Sequence, residues 1–310
     1  TYGVRGEGSD FHNPPAYNPA IDAAFGRRTD VLPSEKHLSP RAGFSWTLGP
    51  SEGGPPTWIV RGGGGEFRSP MPLSLASFAQ SSTGLVNSES QFFCVGDGAP
   101  TPDWAAYTAD PSSIPTECLA AGPAIATSAP NALVFGEGFK APRSWRTSLG
   151  VQRSVTQLIR VSLDGSYARG VSQTGFTDLN LDDTPRFGLS NEGNRPVFVD
   201  PGQIDPATGA LGFTNSRVDP AFGQVIETNS GLASTSKQVT ASIGGITRKG
   251  VLFNASYTFS RARDQLSSSG FGTQAFGSAT TAGNPNVPEW ATSDLERRHS
   301  FLTTATYPIG

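Results

Sequence analysis

Two cysteines occur in the chain, Cys94 and Cys118, and neither a CxxC spacing nor a histidine pair accompanies them. Both fall in one long polar segment, where a disulfide suits an oxidising, exposed setting. Chain entropy alone would make such a bridge worth roughly 3.5 kcal/mol. Two free thiols, or a metal site completed by other ligands, are the alternatives. The run Asp178-Leu-Asn-Leu-Asp182-Asp183 places oxygen ligands at alternate positions, as a calcium loop begins. It lacks the glycine and the closing glutamate of such a loop, so a solvated acidic turn fits better. His12, His37 and His299 are scattered, and no Ser/His/Asp grouping or metal-ligand spacing links them. The residues therefore predict no enzyme, no metal and no cofactor. Asn254-Ala-Ser256 fits a glycosylation acceptor but lies inside a strand pattern, and is discounted.

The elements behind these residues are strands. Ile159, Val161, Leu163, Gly165 and Tyr167 alternate with Arg160, Ser162, Asp164 and Ser166, which a period of two sends to opposite faces. The same alternation predicts strands over residues 1–5, 40–48, 57–67, 143–152, 158–167, 238–247, 251–260 and 298–307. Residues 1–5 read as the end of a strand, and each of the others is near the ten residues that a tilted strand needs to cross a bilayer. Short turns alternate with very long segments rich in Gly, Pro and Ser, notably 6–38, 68–142 and 168–237. The run Gly62–Gly65 is compatible with a bulge or a close backbone approach.

This pattern predicts an all-β, antiparallel, up-and-down transmembrane barrel, present as an incomplete section of eight strands with long extracellular loops. A secreted sandwich or propeller is the competing fold. The chain has 37 Gly and 25 Pro among 310 residues, a fifth of the total, against roughly 12% in average proteins. Neither continuous core runs nor amphipathic helices are evident, and no apolar stretch is long enough for a membrane helix. The formal charge of −3 argues against nucleic acid as a partner. The chain starts at Thr1 without a signal peptide, and its last residues read as the entry to a turn, so it is read as a piece of a longer protein.

With the long loops outside, Trp46, Trp58 and Tyr307 fall at the periplasmic ends of their strands. Trp145 and Tyr167 fall at the extracellular ends, with Tyr257 and Phe259 close by. All lie on the apolar face, as two interfacial girdles would. Arg261, Arg263, Arg297 and Arg298 gather at strand mouths near Asp264, Asp294 and Glu296. Ion pairing across strands is their plain use; the sharper reading is a charged rim for an anionic ligand or lipopolysaccharide. Outer-membrane lipid is the expected surroundings.

Several segments resemble a known family. They are Phe139-Lys-Ala-Pro-Arg-Ser-Trp-Arg-Thr-Ser-Leu-Gly150, Asn254-Ala-Ser-Tyr-Thr-Phe-Ser-Arg-Ala-Arg-Asp264 and Ser293-Asp-Leu-Glu-Arg-Arg-His-Ser-Phe301. Phe25-Gly-Arg-Arg-Thr-Asp30, Ser39-Pro-Arg41 and Cys94-Val-Gly-Asp-Gly-Ala-Pro-Thr-Pro-Asp-Trp104 with Cys118 join them. Together they resemble the barrel of Oar-like TonB-dependent outer-membrane transporters. The resemblance implies that residues 1–310 are part of one 22-stranded barrel. It also implies a plug domain and a TonB box outside this sequence, and transport of an unidentified substrate. A passive or structural barrel with adhesive loops is the alternative.

Overall fold

In the computed structural model, residues 1–49, 56–85, 98–115, 118–119, 129–207, 209, 216–267 and 283–307 are described. Twelve strands and three short helices follow in chain order: β1 (Tyr2–Ser9), α1 (Pro19–Phe25), β2 (Glu35–Leu48), β3 (Trp58–Arg68), α2 (Leu73–Ser81), α3 (Trp104–Ala109) and β4 (Ala132–Phe135). Then come β5 (Arg143–Ser154), β6 (Ile159–Asp178), β7 (Phe187–Leu189), β8 (Arg195–Val197), β9 (Val225–Ile246), β10 (Leu252–Asp264), β11 (Ala291–Thr292) and β12 (His299–Thr306). The large sheet runs β1-β2-β3-β5-β6-β9-β10, with β12 on the far side of β10. Every one of these neighbours is antiparallel. The sheet is open, with β1 and β12 as its edges among the described residues.

Two adjacent rungs show why these sequences make this sheet. On one face Trp46, Val60, Val151, Leu163, Ala241, Tyr257 and Phe301 stand side by side across seven strands. On the other, one residue away, stand Ser45, Arg61, Gly150, Asp164, Thr240, Thr258 and Ser300. A slip of one residue in any strand would exchange the two faces, so the register is tightly specified. The apolar face carries no covering layer: Phe44, Trp46, Leu149, Leu163 and Phe301 are all more than half exposed. The polar face is tied by small hydroxyls, with Ser162 to Ser242 at 2.8 Å and Thr240 to Thr258 at 2.9 Å. Arg61 reaches Asp164 at 3.1 Å across the strand between them. The residue beneath that reach is Gly150, where any side chain would run into the Asp164 carboxylate.

Three expectations are resolved, the first in favour of one of its two alternatives. The glycine run of β3 holds no bulge, since β2 and β3 stay in register from Arg41/Gly65 to Leu48/Trp58. Close approach is its reason: a side chain at Gly63 would meet the Ala42 carbonyl oxygen at 2.7 Å. The shift in register falls instead on β6, between Gly170 and Gly175, with Ser172 in left-handed backbone (φ 52°). The segment 168–237 is shorter as a loop than its polarity implies, because β6 continues to Asp178 and β9 begins at Val225. These extensions pair with each other beyond the apolar band, where neither face needs to be greasy.

The third correction concerns the core. An amphipathic helix exists after all: α2 buries Leu75, Ala76 and Ala79. Four-residue β4 is buried at every position and pairs in parallel with β9, from Ala132/Val225 to Phe135/Thr228. Among the described residues the buried apolar side chains lie in these loops and at the outer end of β9, and the membrane-crossing part of the sheet has none. Among the described residues no helix is long and apolar enough to cross a membrane.

Candidate functional site

The long-loop end of the sheet carries a folded cap. Its first helix is specified locally. Asn18 accepts hydrogen bonds from the N–H groups of Ala20 and Ile21, Pro19 occupies the first turn, and Gly26 closes the end in left-handed backbone (φ 63°). Asn18 is buried, and its amide also donates to the Thr83 carbonyl at 2.9 Å, pinning the first loop to the second. One apolar cluster joins Met71, Leu75, Ala79, Leu133, Phe135 and Phe139, with Phe11, Leu32 and Phe176 packed against it. Another joins Ile21, Ala132, Val134, Phe222 and Val225. Residues from all three long connections thus share two small cores. Backbone bonds from Leu133 to Ser82, Gly84 to Asn131 and Gly136 to Thr228 reinforce them, as does the Arg27–Glu227 ion pair.

Beneath the cap, a charged cluster locks β2, β3 and β5. Arg68 donates to Glu35 at 2.7 Å, His37 lies 2.6 Å from Glu66, and Arg143 lies 3.3 Å from the same Glu66 oxygen. The Ala141 N–H also donates to Glu35 at 2.9 Å, tying down the base of the second loop. Glu35 sits beyond the apolar run of β2. Burial opposes its ionisation, but the Ala141 N–H and the Arg68 guanidinium outweigh that and hold its carboxyl below the usual range. Its contribution is therefore complete above the unfolded carboxylate value and disappears as pH falls through the lower, folded one. Acidification below the ordinary carboxylate range is accordingly expected to free the base of the second loop. The protection factor of the Ala141 amide, corrected for the intrinsic pH dependence of exchange, should fall sharply as pH drops through the carboxylate range; a flat profile would contradict it.

Next to this cluster, on the polar face, lies an open cavity of about 850 Å³. Arg41, Phe67, Arg146, Gln173, Ser234 and Asp264 are among its lining residues. The Arg41 and Arg146 guanidiniums stand over the Phe67 ring, 4.2 and 5.1 Å from its centre. Such a lining favours a polar or anionic occupant over an apolar one.

The residues singled out from sequence fall as follows. Trp46, Trp58, Trp145, Tyr167 and Tyr257 all stand on the apolar face, where each pairs across strands with its neighbours. Tyr307 follows β12 directly and is exposed. Cys94 lies outside the described residues, so its pairing with Cys118 is taken up as a proposal below. Of the charged group at the strand mouths, Arg298 and Glu296 form an ion pair at 2.7 Å. Arg263 instead donates to the Trp290 carbonyl, and Asp264 accepts from Ser267.

The Asp178 to Asp183 run is a clasp and no open acidic turn. Asp178 accepts from the N–H groups of Asn180 and Val225 and from Arg217 at 2.5 Å. Asn180, fully buried, donates to the carbonyls of Asp219, Phe222 and Gly223 at 2.7–2.9 Å. Asp182 is held below its ordinary carboxylate range by the Thr184 N–H, then by the Thr184 side chain and Arg186. Asp183 takes a hydrogen bond from Asn284 at 2.8 Å. With donors on these oxygens, the alternation serves the loop and not a cation.

The family model described as an outer membrane beta-barrel domain matches residues 9–310. The chain belongs to this family. It is therefore a bacterial outer-membrane barrel section, its apolar face turned to lipid and its long loops turned outward. Among solved structures it is similar to the outer membrane transporter YddB from Escherichia coli, at 10% identity and a TM-score of 0.42. That match covers 76% of this chain and 21% of the transporter, so the chain spans about a fifth of its length. No curated protein matches it.

The cap and the Glu35–His37–Glu66–Arg68–Arg143 cluster were not found from sequence. Only α1 carried a readable signal, the Asn18-Pro19 start with Gly26 after it. The cluster's members are scattered over more than a hundred residues, and only pairing of the strands brings them together.

Proposed function

We propose that this outer-membrane barrel section is the wall and outer lid of a TonB-dependent transporter, Oar-like in type. The plug and TonB box would lie elsewhere in the full-length protein. The observation that carries the reading is the packed cap above a polar, partly cationic cavity. A barrel that serves only as a wall has no use for a separately cored lid over a hydrophilic interior, whereas a gated path for a polar substrate does. In this reading the plug would hydrogen-bond to the small hydroxyls of the polar face, and the chain performs no chemical step of its own. Trp46, Trp58 and Tyr307 would form the periplasmic girdle, and Trp145, Tyr167 and Tyr257 the outer one. Cys94 and Cys118 would be bridged, stiffening the second loop. Mass spectrometry of the native protein without reductant should find no alkylatable thiol at either position, and labelling of both would refute the bridge.

The deciding experiment is uptake by cells carrying the full-length protein. Loss of its TonB box, or collapse of the proton gradient, is expected to abolish uptake while surface exposure of the cap persists. Uptake that survives both treatments would leave a passive or adhesive barrel. One observation favours that second reading: α3 buries none of its residues, and its Trp104 and Tyr107 rings pair edge to face at 5.8 Å on the surface.

A further inference from the structure

The lipid-facing side of β6, β9 and β10 ends, toward the cap, in a patch of cations. Tyr167 pairs with Lys237, and Lys237 with Arg261, along one rung. Two residues further out, Arg169 pairs with Thr235, and Thr235 with Arg263. Arg169, Lys237, Arg261 and Arg263 are all exposed. They continue the apolar face directly above Val239 and Phe259, so they stand where that face leaves the hydrocarbon. Lys237 lies 5.9 Å from the Tyr167 ring, which holds its stem at that level. The Arg263 guanidinium donates to the Trp290 carbonyl, which turns it without neutralising it.

The arrangement opposes its own stability. Lys237 and Arg261 are directly opposite each other in an antiparallel pair, and like charges so placed repel. No carboxylate of β6, β9 or β10 shares their two rungs. Glu296 lies within electrostatic reach of Arg261, but it is shared with the Ala262 N–H and with Arg298, which it binds directly. At the opposite end of the strands the cations are Arg153, stacked on Trp58 at 4.8 Å, and Arg248 and Lys249 in the exposed turn after β9. On β6, β9 and β10 only the outer end sets two like charges directly opposite each other, Lys237 against Arg261.

We propose that Arg169, Lys237, Arg261 and Arg263 form a docking site for the phosphates of an outer-leaflet glycolipid, lipopolysaccharide being the bearer of that chemistry in this membrane. Two phosphates on a sugar headgroup would lie across the two rungs, each between two cations, while the acyl chains run down over Val239, Phe259 and Leu163. The bound anion removes the repulsion that the bare sheet carries. This inference needs only the outward orientation of the strands and is independent of whether the barrel transports anything.

The test uses the full-length protein in detergent, offered diphosphorylated lipid A or the same lipid after phosphatase treatment, with retained lipid counted by mass spectrometry. The phosphorylated form should be retained at least tenfold better. Replacing all four cations by glutamine should bring retention down to the dephosphorylated level, whereas Arg153→Gln should leave it unchanged. Equal retention of the two lipids by the unaltered protein would overturn the proposal, without any variant having to fold. So would full competition by inorganic phosphate, because the site would then recognise a free ion and not a lipid. Lys237→Gln and Arg261→Gln singly should each lower retention severalfold, and no loss in either would count against the site.

Discussion

Phe135→Ala is expected to open the cap and leave the membrane-crossing sheet in place. Phe135 is buried, packs edge to face on Phe139 at 5.3 Å, and closes the cluster that α2 and β4 share. Truncating a buried phenylalanine costs about 3–5 kcal/mol, from lost transfer energy and the cavity left behind. The cap has only two small clusters to draw on, so a loss of that size exceeds what a surface subdomain commonly holds in reserve. The membrane-crossing parts of the strands gain nothing from Phe135, since their apolar face meets lipid. Limited proteolysis of the inserted protein should therefore cut within 68–142 at a far higher rate. The Leu133 amide, bonded to the Ser82 carbonyl at 2.8 Å, should lose its protection from exchange. The heat-dependent gel mobility typical of folded barrels should persist. Unchanged protection at Leu133 would mean that the cap is held by something other than its core.

The opposite result is expected for Leu163→Arg. Leu163 stands in the middle of the β6 apolar run, exposed to lipid and flanked by Val151 and Ala241. A guanidinium at that depth costs about 2–4 kcal/mol in a transmembrane barrel. Ser166→Arg, three residues away and exposed on the polar face, places the same group in the lumen and should cost far less. Folding into phosphatidylcholine vesicles, titrated with urea, separates the two variants. Reversed costs would mean that the two faces have been assigned the wrong way round, and equal costs that lipid does not distinguish them. The pair tests orientation, and Phe135→Ala tests where the core is, so neither outcome can stand in for the other.

The membrane-crossing part of this fold was legible in the sequence because lipid imposes a strict period of two. Val239, Ala241 and Ile243 against Gln238, Thr240 and Ser242 leave no choice of face. Beyond the lipid that constraint lapses. The upper halves of β6 and β9, with residues such as Ser172, Gln173, Asn229 and Ser230, carry no alternation because both of their faces meet protein or water. The cap was illegible for a further reason. Ile21 shares a cluster with Val225, and Arg27 meets Glu227, associations between residues some two hundred positions apart that no local pattern encodes. Asp178 and Asn180 show a third kind of failure. Their alternation was real, but the same spacing that suits a cation also suits a turn whose oxygens receive backbone N–H groups.

The parallel pairing of β4 with β9 has a consequence for the order in which the protein is made and assembled. Residues 132–135 leave the ribosome well before 225–228, and β5 and β6 must both be placed before β9 can arrive beside them. Until then Ala-Leu-Val-Phe is an unpaired apolar strand with nowhere to hide, a segment of the kind that associates between chains. This pairing of the lid therefore cannot form until β9 is in place. Its partner strand is also the one that continues down through the membrane, so the lid can lock only onto a wall that is already standing.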